Sequence, residues 1–212
     1  MLTRGSDSFS YDSEGNRTQR TGPDSTHDYA WDQRNRLESV TVTDTTAPSR
    51  TVEYGYDPFY RRIFRSVDEH SDGSLDGVEY FIYDGDDVVL VISDTSDPGD
   101  PSSFDVELKA AYLHGPAVDQ VFAEETGTGE VFWHLTDHQG TVRDLAQHDE
   151  TTGTTEVVSH REIDAFGNIR EESDPTDPSG TAVFHTSMFA YTGREWDGDV
   201  DLYYYRARWY AA

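Results

Sequence analysis

The residues of this chain best suited to chemistry are histidines and carboxylates, and one dense group of them lies in the middle of the sequence. His134, Asp137 and His138 stand close together, and imidazole nitrogens and carboxylate oxygens are common metal ligands. Along a single strand, however, His134 and His138 would lie about 13 Å apart. His114 and His160 add to the number of imidazoles, but the spacing indicates no third ligand. We therefore interpret this group as polar residues at a turn and predict no metal site.

A second group, from Asp68 to Glu79, has the spacing of a calcium-binding loop. Its residues fall at positions 1, 3, 5, 6, 7, 8, 9 and 12 of such a loop: Asp68, His70, Asp72, Gly73, Ser74, Leu75, Asp76 and Glu79. The histidine at position 3 is a poor calcium ligand, and the flanking residues have the pattern of strands rather than helices. The simpler prediction is an acidic hairpin loop, with calcium binding as the alternative.

No catalytic motif accompanies these groups. Serine, histidine and aspartate are plentiful, but the chain contains no Gly-x-Ser-x-Gly elbow and no glycine-rich phosphate loop. Asn16-Arg17-Thr18 is a glycosylation sequon, but the residues also suit a tight turn. The sequence therefore predicts no cofactor, no metal, no catalytic residue and no enzymatic activity.

Composition limits the classes of function. The chain has 212 residues, 34% hydrophobic and 13% aromatic, with a net charge of −26. Such a charge disfavours nucleic acid as a partner, since phosphate binding needs a basic surface. A halophilic source would explain the large negative charge, and so would the preference of aspartate for turns. Without cysteine there are no disulfides. We expect no membrane span, because no apolar run approaches about 20 residues.

The elements that would position these residues are repeated hairpins. The shared unit is an aromatic residue, any residue, a second aromatic residue and Asp, followed by turn residues and often Arg. The unit begins in FSYDSEGNRT, YAWDQRNRLESV, YGYDPFYRRI and, more loosely, YFIYDGDDVVLV, with aspartates at Asp12, Asp32, Asp57 and Asp84. The two aromatic residues share one face of a strand, and the Asp can bind turn amides. Each unit is thus one hairpin that buries its aromatic face only against a neighbour.

The period-2 pattern predicts an all-β, antiparallel architecture with little helix. The only helical candidate is a short turn at 116–120, and 94–105 is the strongest loop signal. Strands are expected at 8–12, 27–32, 37–43, 51–57, 61–67, 78–84, 87–93, 108–113, 119–124, 130–136, 140–146, 156–163, 167–171, 184–191 and 201–209.

The end of the chain, YTGREWDGDVDLYYYRARWY from Tyr191 to Tyr210, predicts two strands joined by an acidic hairpin loop that contains Gly198. If 201–209 is one strand, Tyr203, Tyr205 and Trp209 share a face, and the arginines lie on the other. Such a strand would be packed on one side and polar on the other.

These stretches resemble the YD-repeat (RHS) family, and Tyr191 to Tyr210 resembles its RHS repeat-associated core. The motifs YLHGPAVDQ, LTDHQGTVRDL, DAFGN, YTGREWD and LYYYRARWY follow in the family's order. The resemblance covers essentially the whole chain and is tightest from Tyr112 onward. On this basis we assign residues 1–105 to YD repeats and 106–212 to the core segment.

The resemblance implies a non-catalytic structural role. YD repeats of this family coil into a large, solenoid-like β-sheet shell that holds a C-terminal polymorphic toxin until its delivery. The implied partners are the rest of the polypeptide and the toxin, and open sheet edges predict self-association. A secreted or cell-surface location is favoured, although no signal peptide follows Met1. The alternative is an adhesion or carbohydrate-binding module at a cell surface, and an enzyme ranks third.

The resemblance also bears on self-cleavage. Toxin-bearing members resemble aspartic-type autoproteases whose residues are an arginine in an Ala-Arg-Tyr-Tyr run and two later aspartates. Arg208, within Ala-Arg-Trp-Tyr, matches that arginine. The first aspartate would follow directly, where the chain has residues 211 and 212, both alanine. Asp197, Asp199 and Asp201 are nothing more than a turn-like acidic run. We therefore predict no self-cleavage, with Arg208 held against tyrosine faces and carboxylates.

Overall fold

A computed structural model describes residues 2–96, 105–177, 179–180 and 183–212. Nearly all of the regular structure in this part is antiparallel β, which confirms the predicted fold class. The strands are β1 (Leu2–Arg4), β2 (Asp7–Tyr11), β3 (Arg17–Thr21), β4 (Ser25–Trp31), β5 (Leu37–Asp44), β6 (Arg50–Tyr56), β7 (Arg62–Asp68), β8 (Gly77–Asp84), β9 (Asp87–Asp94), β10 (Val106–His114), β11 (Val121–Thr126), β12 (Val131–Thr136), β13 (Val142–Asp149), β14 (Thr154–Ile163), β15 (Ile169–Ser173), β16 (Glu195–Asp197), β17 (Leu202–Tyr205) and β18 (Arg208–Tyr210). A 3-10 turn spans Tyr191–Gly193.

The order of the strands in the main sheet is their order in the sequence. Strands β1 to β15 each lie beside the strands that precede and follow them, and β16, β17 and β18 form a second sheet. Consecutive antiparallel strands need only short connections, so a chain of hairpins produces this order directly. Among the residues that the structure describes, no helix is long and apolar enough to cross a membrane.

Five of the hairpin turns share one backbone geometry. In each, the amide of an Asp donates to the carbonyl oxygen four residues later, and the residue three positions later has a positive φ. The Asp carboxylate accepts hydrogen bonds from the amides two and four residues later. These aspartates are Asp12, Asp32, Asp57, Asp137 and Asp164. The turn therefore occurs in three predicted repeats and also in the motifs LTDHQGTVRDL and DAFGN.

Electrostatics favour the ionised Asp in these turns. Burial alone would raise the pKa of Asp32 and Asp57, but hydrogen bonds from the turn amides and from one arginine in each turn lower it. Arg36 Nε donates to Asp32 and Arg61 Nε to Asp57, each at 2.7 Å. Asn16 takes this place in the first turn, which explains the sequon without a sugar, because its Nδ2 donates to the Asp there at 2.9 Å.

The fourth predicted repeat turns differently. Strand β8 ends at Asp84 and β9 begins at Asp87, so that the connection has only two residues. Gly85 has a φ of 62°, a conformation that suits glycine in a two-residue hairpin. The looser sequence match of this repeat thus corresponds to a shorter turn.

The chain divides into two compact units, and the first comprises residues up to Phe81 with 92–107 and 206–209. Its core is a row across adjacent strands in which Tyr29 lies opposite Val40, Val40 opposite Val52, and Val52 opposite Val67. All four side chains are buried. Burial of a side chain of this size contributes about 1.5–3 kcal/mol, so the row holds four strands together.

The second unit comprises residues 82–91, 108–205 and 210–212. Strands β11 to β13 contribute Val121, Phe132, Val142 and Leu145 to a buried cluster, and Phe189 completes it. Phe189 belongs to residues 183–190, an irregular segment that we call the strap.

The C-terminal tyrosines bind the Asp164 turn. The hydroxyls of Tyr191, Tyr203 and Tyr210 donate to three consecutive carbonyl oxygens, those of residues 165–167, at 2.9, 2.8 and 2.6 Å. Tyr203 is fully buried. Because a buried hydroxyl needs a partner, the Tyr203 side chain can pack in the core only with its bond to the carbonyl oxygen of Gly167.

Three sequence-based expectations at the level of elements were wrong, and two strands, β1 and β3, were not expected. The strap replaces the strand expected at 184–191, because its carbonyl oxygens accept hydrogen bonds from the buried Arg161 side chain instead of a strand ladder. The strand expected at 201–209 breaks where Arg206 has a φ of 56°, and residues on both faces of β17 are buried. Residues 116–120 form bends and a turn, not a helix. Most of the loop expected at 94–105 lies outside the described residues.

Candidate functional site

A buried carboxylate organises the polar contacts of the second unit. Glu124 on β11 is 2% exposed and accepts a hydrogen bond from Ser187 Oγ at 2.7 Å. His185 Nε2 binds the other carboxylate oxygen. His134, on the adjacent strand β12, places its Nε2 3.4 Å from Glu124 Oε2. Two neighbouring strands and the strap therefore meet at one negative charge.

The surroundings of Glu124 favour its ionised form. Burial opposes ionisation, but hydrogen bonds from His134 and His185 and the charge of His134 outweigh it. Together they lower the pKa of Glu124 from 4.5 to about 2. A buried charge is tolerated only when it is paired in this way. The strap is thus held on the sheet by the contacts of His185 and Ser187 with the Glu124 carboxylate, as well as by the burial of Phe189.

The Ser187, His134 and Glu124 side chains are not arranged as a catalytic triad. In a triad the acid binds one imidazole nitrogen and the serine the other. Here Ser187 Oγ lies 2.8 Å from His134 Nε2, the same nitrogen that faces Glu124. Among the described residues, Nδ1 of His134 has no hydrogen-bond partner. Because the serine is also buried, we interpret this cluster as an anchor for the strap.

The histidines singled out in the sequence are not gathered in one place. His134 belongs to the Glu124 cluster, whereas His138 is exposed at the tip of a turn. His114 Nε2 lies 2.8 Å from the carbonyl oxygen of Val88, and His160 Nδ1 lies 2.6 Å from Asp144. The described part of the chain contains no group of three or more His, Cys, Asp or Glu side chains placed to hold a metal ion.

The loop with calcium-like spacing joins β7 to β8, as an acidic hairpin would. The carboxylate of Asp68 accepts hydrogen bonds from three backbone amides, those of His70, Asp72 and Gly73. Asp76 accepts one from the amide of Glu69 at 2.7 Å. Two of the proposed ligands thus bind their own loop, and calcium binding remains an untested alternative.

A cleft of about 540 Å³ lies beside the Glu124 cluster, and His134 borders both. Its walls come from residues 117–122, from the turn at 136–140 and from three side chains near the end of the unit. Those three are Thr192, Arg194 and Tyr205. Parts of the motifs YLHGPAVDQ, LTDHQGTVRDL, YTGREWD and LYYYRARWY therefore form a single surface feature.

The charged and aromatic groups of the cleft pair with one another. Arg194 forms an ion pair with Asp119 at 2.6 Å, and its guanidinium lies 5.1 Å from the centre of the Tyr205 ring. The hydroxyls of Tyr205 and Thr192 are 2.7 Å apart. These contacts fix the cleft wall in one arrangement.

The backbone at the rim of the cleft is unusual. Asp119 and Thr192 have φ values of 59° and 53°, and a positive φ is rare for a β-branched residue such as threonine. A Cβ on Gly193 would lie 2.4 Å from the carbonyl oxygen of Asp119, so only glycine fits there. Local strain of this kind often accompanies functional sites.

Arg208, the residue matched to the family autoprotease, is exposed at the start of β18. It belongs to the first unit, whereas Asp197, Asp199 and Asp201 belong to the second. Its neighbour Trp209 has the better defined contacts, since its Nε1 donates to the Tyr56 hydroxyl at 3.0 Å. The roles predicted for Arg208 stay predictions.

The Glu124 cluster was missed by sequence reasoning. One signal was present: Glu124 and Glu125 are adjacent in a strand, so they face opposite sides, and one of them must face the core. His134 lies nearby on the next strand, but His185 and Ser187 lie more than sixty residues later in a segment without a motif, and pattern alone could not place them.

Known proteins resemble the chain over nearly all of its length. It is 29% identical over 211 residues to the tRNA nuclease WapA of Bacillus subtilis strain 168, and 27% identical over 211 residues to the tRNA3(Ser)-specific nuclease WapA of Bacillus spizizenii. Each match covers 99% of this chain but only 8% of the relative. Salivary gland surface protein 1 of Aedes aegypti is 28% identical over 82% of the chain. No protein-family model matches.

Solved structures share the fold. The crystal structure of TcdB2-TccC3 matches 97% of this chain and 12% of its own, with a TM-score of 0.60 and 15% identity. The crystal structure of TcdB2-TccC3-Cdc42 matches 87% of this chain and 8% of its own, with a TM-score of 0.58 and 16% identity. At a coarse level, these similarities in sequence and fold support the RHS resemblance.

Proposed function

We propose that this chain is a non-catalytic segment of an RHS-type β-sheet shell that encloses a C-terminal toxin. The observation that carries the proposal is the sheet of fifteen described strands that follow one another in sequence order, in which five hairpins share one turn. Such a sheet grows by adding hairpins, and each new hairpin covers the previous edge. The similarity to TccC3 complexes over most of the chain and to far longer nucleases supports the same role.

The proposal assigns the activity in such proteins to other parts of the polypeptide. The Ser187, His134 and Glu124 groups lack the order of a triad, and alanine stands at residue 211, where the first aspartate of the Arg208 match is expected. We therefore expect no self-cleavage. The intact mass should stay at 23.9 kDa during long incubation between pH 4 and 8. A cut that disappears in Arg208→Ala would contradict a non-catalytic segment.

The ends of the sheet provide the direct test. Strands β1 and β15 end the strand order among the described residues, and a free strand edge promotes association. We expect the chain on its own to associate with rising concentration in sedimentation velocity. Glu171→Pro in β15 places a residue that hinders edge pairing in the outermost described strand and should weaken this association, whereas the matched control Glu171→Gln should not. A monomer at all concentrations with a sharp melt would contradict the proposal.

A further inference from the structure

The outward-facing side chains in the middle of β12 are large and apolar. Phe132 belongs to the buried cluster that the strap completes, and His134 Nε2 lies 2.8 Å from Ser187 Oγ of the strap, so both point to the strap side of the sheet. Side chains alternate along a strand, and the residues between and beside these two therefore point to the opposite side. They are Val131, Trp133 and Leu135, which are 41%, 46% and 43% exposed.

Folding does not require an apolar surface on the solvent side of such a strand. In the first unit, Asp28 of β4 and Glu53 of β6 are exposed between buried neighbours, and both strands pair with the strands beside them. An antiparallel sheet with one solvated face normally carries polar residues on that face. A group of exposed, large apolar side chains instead marks an interaction surface.

The apolar surface continues onto the neighbouring strands. In the register, Trp133 lies opposite both Ala123 and Ala146. Beyond the alanines lie Leu113, which is 53% exposed, and the half-buried Val157. The two alanines are only 5% and 6% exposed, because the larger side chains beside them cover them. We call the apolar side chains on this side of β10 to β14 the Trp133 face: Leu113, Val131, Trp133, Leu135 and Val157.

The indole of Trp133 is open to a partner. In the part of the chain that the structure describes, its Nε1 has no acceptor and no cation lies over its ring. Trp31 and Trp209 differ, since their Nε1 atoms donate to the carbonyl oxygen of Arg17 at 2.7 Å and to the Tyr56 hydroxyl at 3.0 Å. Tryptophan is the side chain whose ring attracts cations most strongly, so the free indole face favours a partner with a positive charge.

The carboxylates beside the Trp133 face favour the same kind of partner. Glu125 lies opposite Val131 and is exposed, and Asp144 lies opposite Leu135. The chain as a whole has a net charge of −26, so a second copy of it would be repelled, as would an anionic membrane surface. Charge complementarity therefore selects a cationic protein.

We propose that the Trp133 face docks a cationic amphipathic helix of a partner protein. A partner strand cannot add to β12, because β11 and β13 already occupy both of its edges, whereas a helix can lay an apolar stripe on the face of the sheet. Four strand spacings separate β10 from β14, which makes the face about 19 Å wide. A helix of about 13 residues has this length. The inference concerns the side away from the strap and does not depend on the shell.

The test uses the whole chain and a labelled peptide of about 14 residues, leucine and lysine arranged in helical period. Binding is measured by fluorescence anisotropy near physiological ionic strength, where long-range attraction is screened. We expect the peptide to bind and Trp133→Ser to weaken binding at least tenfold, since buried tryptophans often dominate such interfaces. The matched control is Phe59→Ser, which removes a 77% exposed aromatic ring from the first unit and should leave the affinity unchanged.

Two altered peptides separate the contributions of charge and apolar contact. Equal binding after serine replaces every leucine would show that charge alone attracts the peptide, and would refute the proposal. Equal binding after glutamate replaces every lysine would refute it too, because a cationic partner would then have no advantage. Equal affinities of Trp133→Ser and the natural chain would place the peptide elsewhere on the protein.

A second pair of variants covers the case in which Trp133→Ser melts lower than the Phe59→Ser control. Glu125→Lys reverses an exposed charge beside the face and should weaken binding several-fold. Glu38→Lys makes the same change at an exposed position of the first unit and should not; equal effects of the two would contradict docking at this face. Self-association that Trp133→Ser abolishes but Glu171→Pro does not would assign the face to a second copy and overturn the proposal.

Discussion

Replacing Glu124 with Gln should destabilise the protein by an amount that depends on pH. The carboxylate is 2% exposed and its pKa is lowered from 4.5 to about 2. At about 1.4 kcal/mol for each pH unit, the charged form contributes about 3 kcal/mol to folding. Because the folded-state pKa is the depressed one, this contribution is complete above pH 4.5 and is lost as the pH falls through 2.

Urea unfolding at two pH values measures this contribution. The difference in unfolding free energy between the natural chain and Glu124→Gln should be about 3 kcal/mol at pH 6 and roughly half as large at pH 3. Glu125→Gln is the matched control, because Glu125 is adjacent in the same strand but exposed. Its effect should stay within about 0.5 kcal/mol. Equal effects of the two substitutions, or a Glu124→Gln effect that does not change with pH, would refute the reasoning.

Three further predictions concern the turns, the tyrosines and the net charge. Asp57→Ala removes the carboxylate that caps its turn, and should lower the Tm by about 4 °C relative to the exposed control Asp24→Ala in calorimetry; equal melts would contradict a structural role for the turn. Burial raises the pKa of Tyr56 from 10 to about 12, so its contribution to stability is present below pH 10 and is lost as the pH rises through 12. Burial also raises the pKa of Tyr203 and Tyr205, so an ultraviolet titration should show a late tyrosine step that is smaller by one tyrosine in Tyr56→Phe, and an unchanged late step would oppose this. Finally, molar NaCl should raise the Tm, since the net charge is −26; a flat response would disprove crowding of like charges.

The sequence predicted the hairpins well because their determinants are local. An Asp that ends an aromatic strand specifies its turn through bonds to amides within four residues, so β4, β5, β6 and β7 begin and end within two residues of the expected positions. The same local bonds occur at Asp137 and Asp164, where the sequence was interpreted as family motifs rather than as further copies of the turn.

The strap and the Glu124 cluster could not be predicted because their determinants are distant. Residues 184–191 alternate like a strand, but Arg161 binds their carbonyl oxygens and Glu124 binds Ser187 across more than sixty positions. The cleft has the same origin, since its three walls come from separate parts of the second unit. The periodicity of apolar residues and the secondary-structure propensities of residue types depend on neighbours in sequence, so they carry no information on such contacts.

The shared turn separates the residues that fold the hairpin from those that it displays. Only the Asp and the residue of positive φ are specified, and the two positions between them carry pairs as different as Ser13-Glu14, Pro58-Phe59 and His138-Gln139. Phe59 and Phe166, at equivalent tips, are 77% and 64% exposed. A library randomised at these positions would therefore vary surface chemistry on an unchanged backbone, as antibody loops do on their framework. Natural variation among such chains should concentrate at the same pairs.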